Sequence, residues 1–302
     1  MLTFAAMTRF RFLFLFLLPI LALVSCKDKR INSGKPQLTV SIIPQRNLVK
    51  FISGGNFDVQ VMLPTGSNHE TYEPTPRDME KIASSELYFA LGALDFELTW
   101  MDRFKASNPK MKVVTTNEGI EILRGHAHTE SGPDQPNRGI DPHTWLSPLC
   151  MKIQAANVCK ALSETDSVNS AYYASNLAKF NLLADSVDRI IRNKLAGIKG
   201  KSFLIFHPAL GYFARDYGLD QISIEQDGKE PSPAYLAELI RTAKEKGIKT
   251  VFISKEFDTR NAEAIAREIN GKVVIFDPMS EDWAGNIITL AGLIAGSEVS
   301  KP

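Results

Sequence analysis

A chain of 302 residues with 44% hydrophobic and 23% charged residues is long enough for two domains with their own cores and too apolar to stay disordered over most of its length. The formal net charge of +1 falls by two, to −1, once residues 1–25 with Arg9, Arg11 and no acid are set aside. No basic surface is implied, which excludes a nucleic-acid partner.

In chain order, the first element is an apolar run from Phe12 to Val24 behind Arg9 and Arg11. It is shorter than the roughly 17–25 residues of a membrane-spanning helix and reads as an export signal. The run ends in "LVSC", Leu23 to Cys26, which resembles a bacterial lipobox. Residues 1–25 are therefore expected to be a signal peptide and Cys26 the lipidated first residue of an exported, envelope-anchored chain. Residues 26–36, charged and punctuated by Gly and Pro, suit a tether.

Short buried strands are then expected at 38–43, 57–63, 86–92 and 111–116, with helical stretches such as "PRDMEKIAS" and "FELTWMDRFKA" between them. This alternation, over residues 37–164, argues for a parallel α/β lobe. Tyr173, Leu177, Phe180, Ala184, Val187, Ile191 and Leu195 step by three or four and mark one apolar stripe. They place a single long helix, without internal Pro or Gly, within 165–199. The strand grammar returns at 202–206, 221–226, 250–254 and 272–276, with helices near 208–217, 232–247, 259–269 and 282–296, giving a second α/β lobe over 200–302.

Cys150 and Cys159 lie nine residues apart on one expected helix, roughly 13 Å at about 1.5 Å per residue, too far to bridge. Both read as buried packing residues.

His69 lies six residues past the expected second strand, in "LPTGSNHETYEP". His143, in "RGIDPHTWLSP", follows the fourth strand and its long loop. His207 follows the strand 202–206 directly, and Asp277 ends the last strand. Ligands of open α/β sheets bind beyond the carboxyl ends of the strands, so two facing lobes would bring these four side chains to one cleft. Ser147-Pro148 and Pro208 supply N-cap and N1 signals beside the histidines. Three imidazoles and a carboxylate make a complete tetrahedral shell for Zn²⁺, which binds metal and does not activate water. Plainer readings exist for each: Asp277 capping the helix after Pro278, His207 hydrogen-bonded at a strand end, His69 one more polar loop residue. Glu225 and Glu230, near "DGKEPSP", are not read as ligands or a catalytic pair. Glu230 is expected to fix its loop ahead of a helix starting at Ser232-Pro233. Glu70, Trp145, Tyr212 and Glu281 are candidates to support the cleft.

The segments "DPHTWLSP", "FHPALGYFARDYGL", "DGKEPSP" and "FDPMS", in this order around a long helix, resemble the cluster A-I solute-binding family, the periplasmic zinc- and manganese-binding proteins of ABC transporters. The resemblance implies two (β/α)4 lobes joined by a backbone helix. It implies metal held at His69, His143, His207 and Asp277, and delivery to an ABC permease and its ATPase by a monomeric, lipid-anchored protein. Manganese-selective members usually carry Glu where this chain has His207, so Zn²⁺ is favoured over Mn²⁺ as the transported ligand. A manganese- or iron-specific binding protein and a surface adhesin are the alternatives within the family. The short "HAHTE" segment resembles the His-rich loop of zinc members, with His126 and His128 as possible accessory captors. A zinc hydrolase is disfavoured, since HExxH is lacking and Asp277 would fill the position a catalytic zinc leaves open.

Overall fold

The computed structural model describes residues 34–124, 139–198, 200–225 and 229–296. Cys26, the expected signal, most of the expected tether, His126 and His128 lie outside the described residues. Strand and helix alternate through the first half: β1 (Gln37–Val40), α1 (Ile43–Ser53), β2 (Asp58–Val61), α2 (Pro76–Ala83), β3 (Leu87–Ala90), α3 (Asp95–Ser107) and β4 (Lys112–Thr115). Two consecutive helices follow, α4 (Pro148–Thr165) and α5 (Ser170–Leu195). The alternation resumes with β5 (Ser202–Ile205), α6 (Gly211–Tyr217), β6 (Asp220–Ser223), α7 (Pro233–Glu245), β7 (Thr250–Ser254), α8 (Arg260–Glu268), β8 (Lys272–Phe276) and α9 (Trp283–Ile294).

The strands form two four-stranded sheets, ordered β2-β1-β3-β4 and β6-β5-β7-β8, and every pairing is parallel. Helices cover both faces of a parallel sheet, so its inner strands are apolar without alternation. β3, "LYFA", is buried at all four positions. The edge strands β4 and β8 each begin with an exposed lysine, Lys112 and Lys272, which discourages further strand pairing.

Several helix starts follow the expected chemistry. Ser147 accepts from Cys150 N at 3.1 Å ahead of Pro148, and Ser232 accepts from Tyr235 N at 3.2 Å ahead of Pro233. One start differs. Pro208 does not open α6, because the chain turns first, with Ala209 N bonded to His207 O at 2.7 Å, and the helix begins at Gly211. α9 begins at Trp283, where Asp282 accepts from Gly285 N at 3.0 Å. Asp282 holds the cap position, which removes the capping explanation for Asp277.

Helix α5 has 26 residues, about 39 Å at 1.5 Å per residue, and joins the lobes. Its buried face carries Tyr173, Asn176, Phe180, Ala184, Val187, Ile191 and Leu195. Leu177, expected in that stripe, is only partly buried. Asn176 turns inward instead and donates to Ile52 O at 3.0 Å, satisfying a carbonyl in the last turn of α1. Phe180 meets Phe51 of α1 edge-on at 5.5 Å and stacks on Trp283 of α9 at 5.9 Å, so one ring touches a helix from each lobe. The apolar interior is continuous from Leu38 and Phe89 through α5 to Phe252, Trp283 and Leu290. A second cluster, including Leu204, Leu239, Val251 and Ile265, fills the other face of the second sheet. Cys150 and Cys159 are buried free thiols.

Candidate metal centre

Each histidine rides on a loop whose shape is set by its own local bonds. After β2, Asn68 accepts from Glu70 N at 2.8 Å, an Asx turn that orients His69 between them. Farther along, the Tyr72 hydroxyl lies 2.7 Å from the Asp78 carboxylate and 2.9 Å from Met62 O. Asp78 also caps the start of α2 through Thr75 and pairs with Lys81 at 2.7 Å. Burial opposes the Asp78 charge, but the bonds from Lys81, Thr75 and Tyr72 outweigh it and lower its pKa to about 2. The loop bearing His69 is thereby clamped at both ends.

His143 is fixed by Asp141, which accepts from its backbone N at 2.9 Å and sits 2.8 Å from its Nδ1. A carboxylate on Nδ1 sets the tautomer and leaves Nε2 as the ligating nitrogen, 3.1 Å from His69 Nε2. Asp141 is held in turn by the Tyr212 hydroxyl, which donates to its carbonyl at 2.9 Å. The backbone of α6 passes so close that a Cβ on Gly211 would stand 2.5 Å from Asp141 Oδ2. Trp145 packs against the His143 ring, 5.1 Å between centroids. Its indole donates to Pro278 O at 2.8 Å, and its carbonyl accepts from the Trp283 indole at 2.7 Å.

His207, two residues past β5, stacks on Phe257 at 5.3 Å and an interplanar angle of 18°. Its Nδ1 lies 3.3 Å from both oxygens of Glu225 and 3.7 Å from Glu70 Oε1. Burial works against the charged imidazole, but the Glu225 bond and the charges of Glu70, Glu225 and Asp141 overcome it and raise its pKa. His69 responds oppositely: burial, then His143 and His207, push its pKa well below the ordinary value, leaving a neutral, ligand-ready ring.

The three rings converge. His69 Nε2 and His143 Nε2 are 3.1 Å apart, and the His207 centroid lies 5.7 and 5.1 Å from the other two. All three residues are at most 7% exposed. An edge of roughly 3.3 Å follows for two nitrogens on one tetrahedral Zn²⁺ at about 2.05 Å, close to the observed separation. His69 Nδ1 and His207 Nε2 are buried without a hydrogen-bond partner. A buried orphan of this kind costs about 1–3 kcal/mol, and a cation at the convergence point relieves it for a nitrogen that faces it.

The candidate residues are not all brought together. Among the described residues, ligand atoms within 4.8 Å of one another are those of His69, His143 and His207, and separately those of Glu70, His207 and Glu225. The Asp277 carboxylate is outside both groups, bonded to Lys255 Nζ at 2.7 Å and to Met279 N at 3.0 Å. Of the expected supporting residues, Trp145 and Tyr212 are fully buried against the site and Glu70 faces His207. Glu281 lies on the surface, paired with Arg46. Glu230 bonds Asn261 at its loop, as expected. Two supports escaped the sequence reading. Asp141 was legible as the acid two residues ahead of a histidine. Glu225 became visible only once β6 was seen to lie beside β5, which puts the residues beyond their carboxyl ends together.

Two parallel α/β lobes on one long helix, with three imidazoles converging from loops of both, define a metal solute-binding protein. The chain belongs to the ZnuA family: the family model described as "Zinc-uptake complex component A periplasmic" matches residues 38–290. It is 30% identical over 282 residues to a protein of Chlamydia trachomatis serovar D described as metal-binding, covering 93% of this chain and 98% of that one. It is 26% identical over 264 residues to the high-affinity zinc uptake system protein ZnuA of Bacillus subtilis strain 168, covering 84% and 82%. A crystal structure of ZnuA superposes with a TM-score of 0.80 at 36% identity, covering 87% of this chain and 99% of that one.

Proposed function

We propose that this chain captures one Zn²⁺ between its lobes, outside the cytoplasmic membrane, and delivers it to an ABC permease and its ATPase. His69, His143 and His207 are the imidazole ligands, and Asp277 supplies the fourth position after leaving Lys255. The observation that carries this reading is the convergence of three buried imidazoles, from loops of both lobes, with Nδ1 of His143 and of His207 turned to carboxylates. A site of three neutral nitrogens suits Zn²⁺ better than Mn²⁺, which favours a larger share of oxygen ligands. Cys26 carries the lipid that keeps the monomeric carrier in the envelope.

Titration of metal-free protein with Zn²⁺ and Mn²⁺ in competition tests the reading. One tight Zn²⁺ per chain is expected, lost strongly in His143→Ala and His207→Ala while cooperative unfolding of the apo variants persists. A Mn²⁺ preference, or two equally tight Zn²⁺ sites, overturns it. Anchoring is read separately: Cys26→Ala should move the protein from the membrane fraction to the soluble one.

A further inference from the structure

The partner of Asp277 is set by strand register. In the β7–β8 pair, Ser254 lies opposite Phe276, so Lys255 and Asp277 are the next residues out, side by side at the carboxyl edge of two adjacent parallel strands. Their side chains form an ion pair of 2.7 Å and are 41% and 33% exposed. The backbone around Asp277 has little freedom. Asn286 donates to Asp277 O at 2.8 Å, Trp145 to Pro278 O at 2.8 Å and Asn47 to Glu281 O at 2.8 Å. The link to Lys255, by contrast, is made by side chains alone, through Oδ2, while Oδ1 accepts from Met279 N at 3.0 Å. Trp145, whose ring lies 5.1 Å from that of His143, is the group that holds Pro278 O, so the residue following Asp277 is tied directly to the wall of the metal centre.

We infer that Lys255 is an affinity-setting residue that competes with Zn²⁺ for the Asp277 carboxylate. This rests on the zinc-binding reading above and on Asp277 as fourth ligand. On loading, Asp277 exchanges an ammonium for the metal. On release, Lys255 reclaims the carboxylate and lowers the barrier to opening the shell. A carrier that must surrender its ion gains from such a competitor, since the same four ligands without it would hold zinc longer.

Zinc affinity by competition with a chromophoric chelator, and dissociation rate by stopped flow, are measured for the wild type, Lys255→Met, Lys255→Arg, Asp277→Asn and Lys255→Met combined with Asp277→Asn. Lys255→Met should bind on the order of two- to fivefold more tightly and release more slowly, as expected for removing a part-exposed ion pair. Lys255→Arg should behave as the wild type, and Lys255→Met should give no gain in the Asp277→Asn background. Unchanged affinity in Lys255→Met, or an equal gain in both backgrounds, overturns the inference. An Asp277→Asn protein that binds zinc as the wild type does also overturns it while leaving the zinc-binding reading intact. Absence of zinc binding by the wild type overturns both.

Discussion

Gly211→Ala is a steric probe of how His143 is aimed. The glycine does not have a left-handed backbone, so alanine meets no conformational barrier; what it meets is Asp141 Oδ2, 2.5 Å from the new Cβ. An ordinary methyl–oxygen contact needs roughly 0.8 Å more. The carboxylate that must yield is buried and holds His143 through bonds of 2.9 and 2.8 Å. Relieving the clash therefore breaks or skews the bond to Nδ1 and unlocks the ring. Loss of such a support costs about 10–100-fold in metal affinity, and overpacking adds about 1–3 kcal/mol of destabilisation. Chelator competition gives the first quantity and urea unfolding of the apo protein the second. Asp141→Ala should weaken zinc binding to a similar degree, and Gly211→Ala added to it should cost little more, because the methyl then has no carboxylate to displace. Wild-type zinc affinity in Gly211→Ala, or fully additive losses in the double variant, would refute the reasoning.

Zinc affinity should fall with acid. His207, its pKa raised by neighbouring carboxylates, begins to bind protons in competition with metal above the ordinary value of about 6.5, whereas depressed His69 does not; constant affinity from about pH 8 to about pH 5 contradicts this. Asp78 is depressed to about 2, so the stability it contributes is present above the unfolded pKa of about 3.9 and is lost as pH falls through about 2. Asp78→Asn should accordingly be less stable at neutral pH and flatter across that acid window in urea titrations. Phe180→Ala should cost about 3–5 kcal/mol of unfolding free energy, read from the urea midpoint; a loss below about 1 kcal/mol means the ring between Phe51 and Trp283 is not a core element.

The sequence was most legible where one physical rule dominated. Buried parallel strands such as β3 and β7 show as unbroken apolar runs, and α5 shows as a stripe with helical spacing. The strand-end positions of His69, His143 and His207 were enough to foresee their meeting. Asn176 was missed because its place in the stripe is decided by a carbonyl of α1, more than a hundred residues away in the chain. The start of α6 was misplaced because proline permits a helix start without requiring one, and the turn at His207 decided otherwise. Asp277 shows the sharper limit: its position beyond β8 was legible, but its partner Lys255 depends on the register between β7 and β8.

The contact between Phe180 and Trp283 also has a consequence for the order in which the chain can become a protein. α5 lies in the middle of the sequence, while the helix that seals its face, α9, is the last one described. A chain that becomes available amino end first cannot complete this interior until α9 is present. Before that, Phe180 is covered by Phe51 of α1 on one side and lacks the stacked Trp283 ring on the other. A version truncated ahead of Trp283 should therefore unfold at lower urea than the whole chain, with Phe180 left partly uncovered.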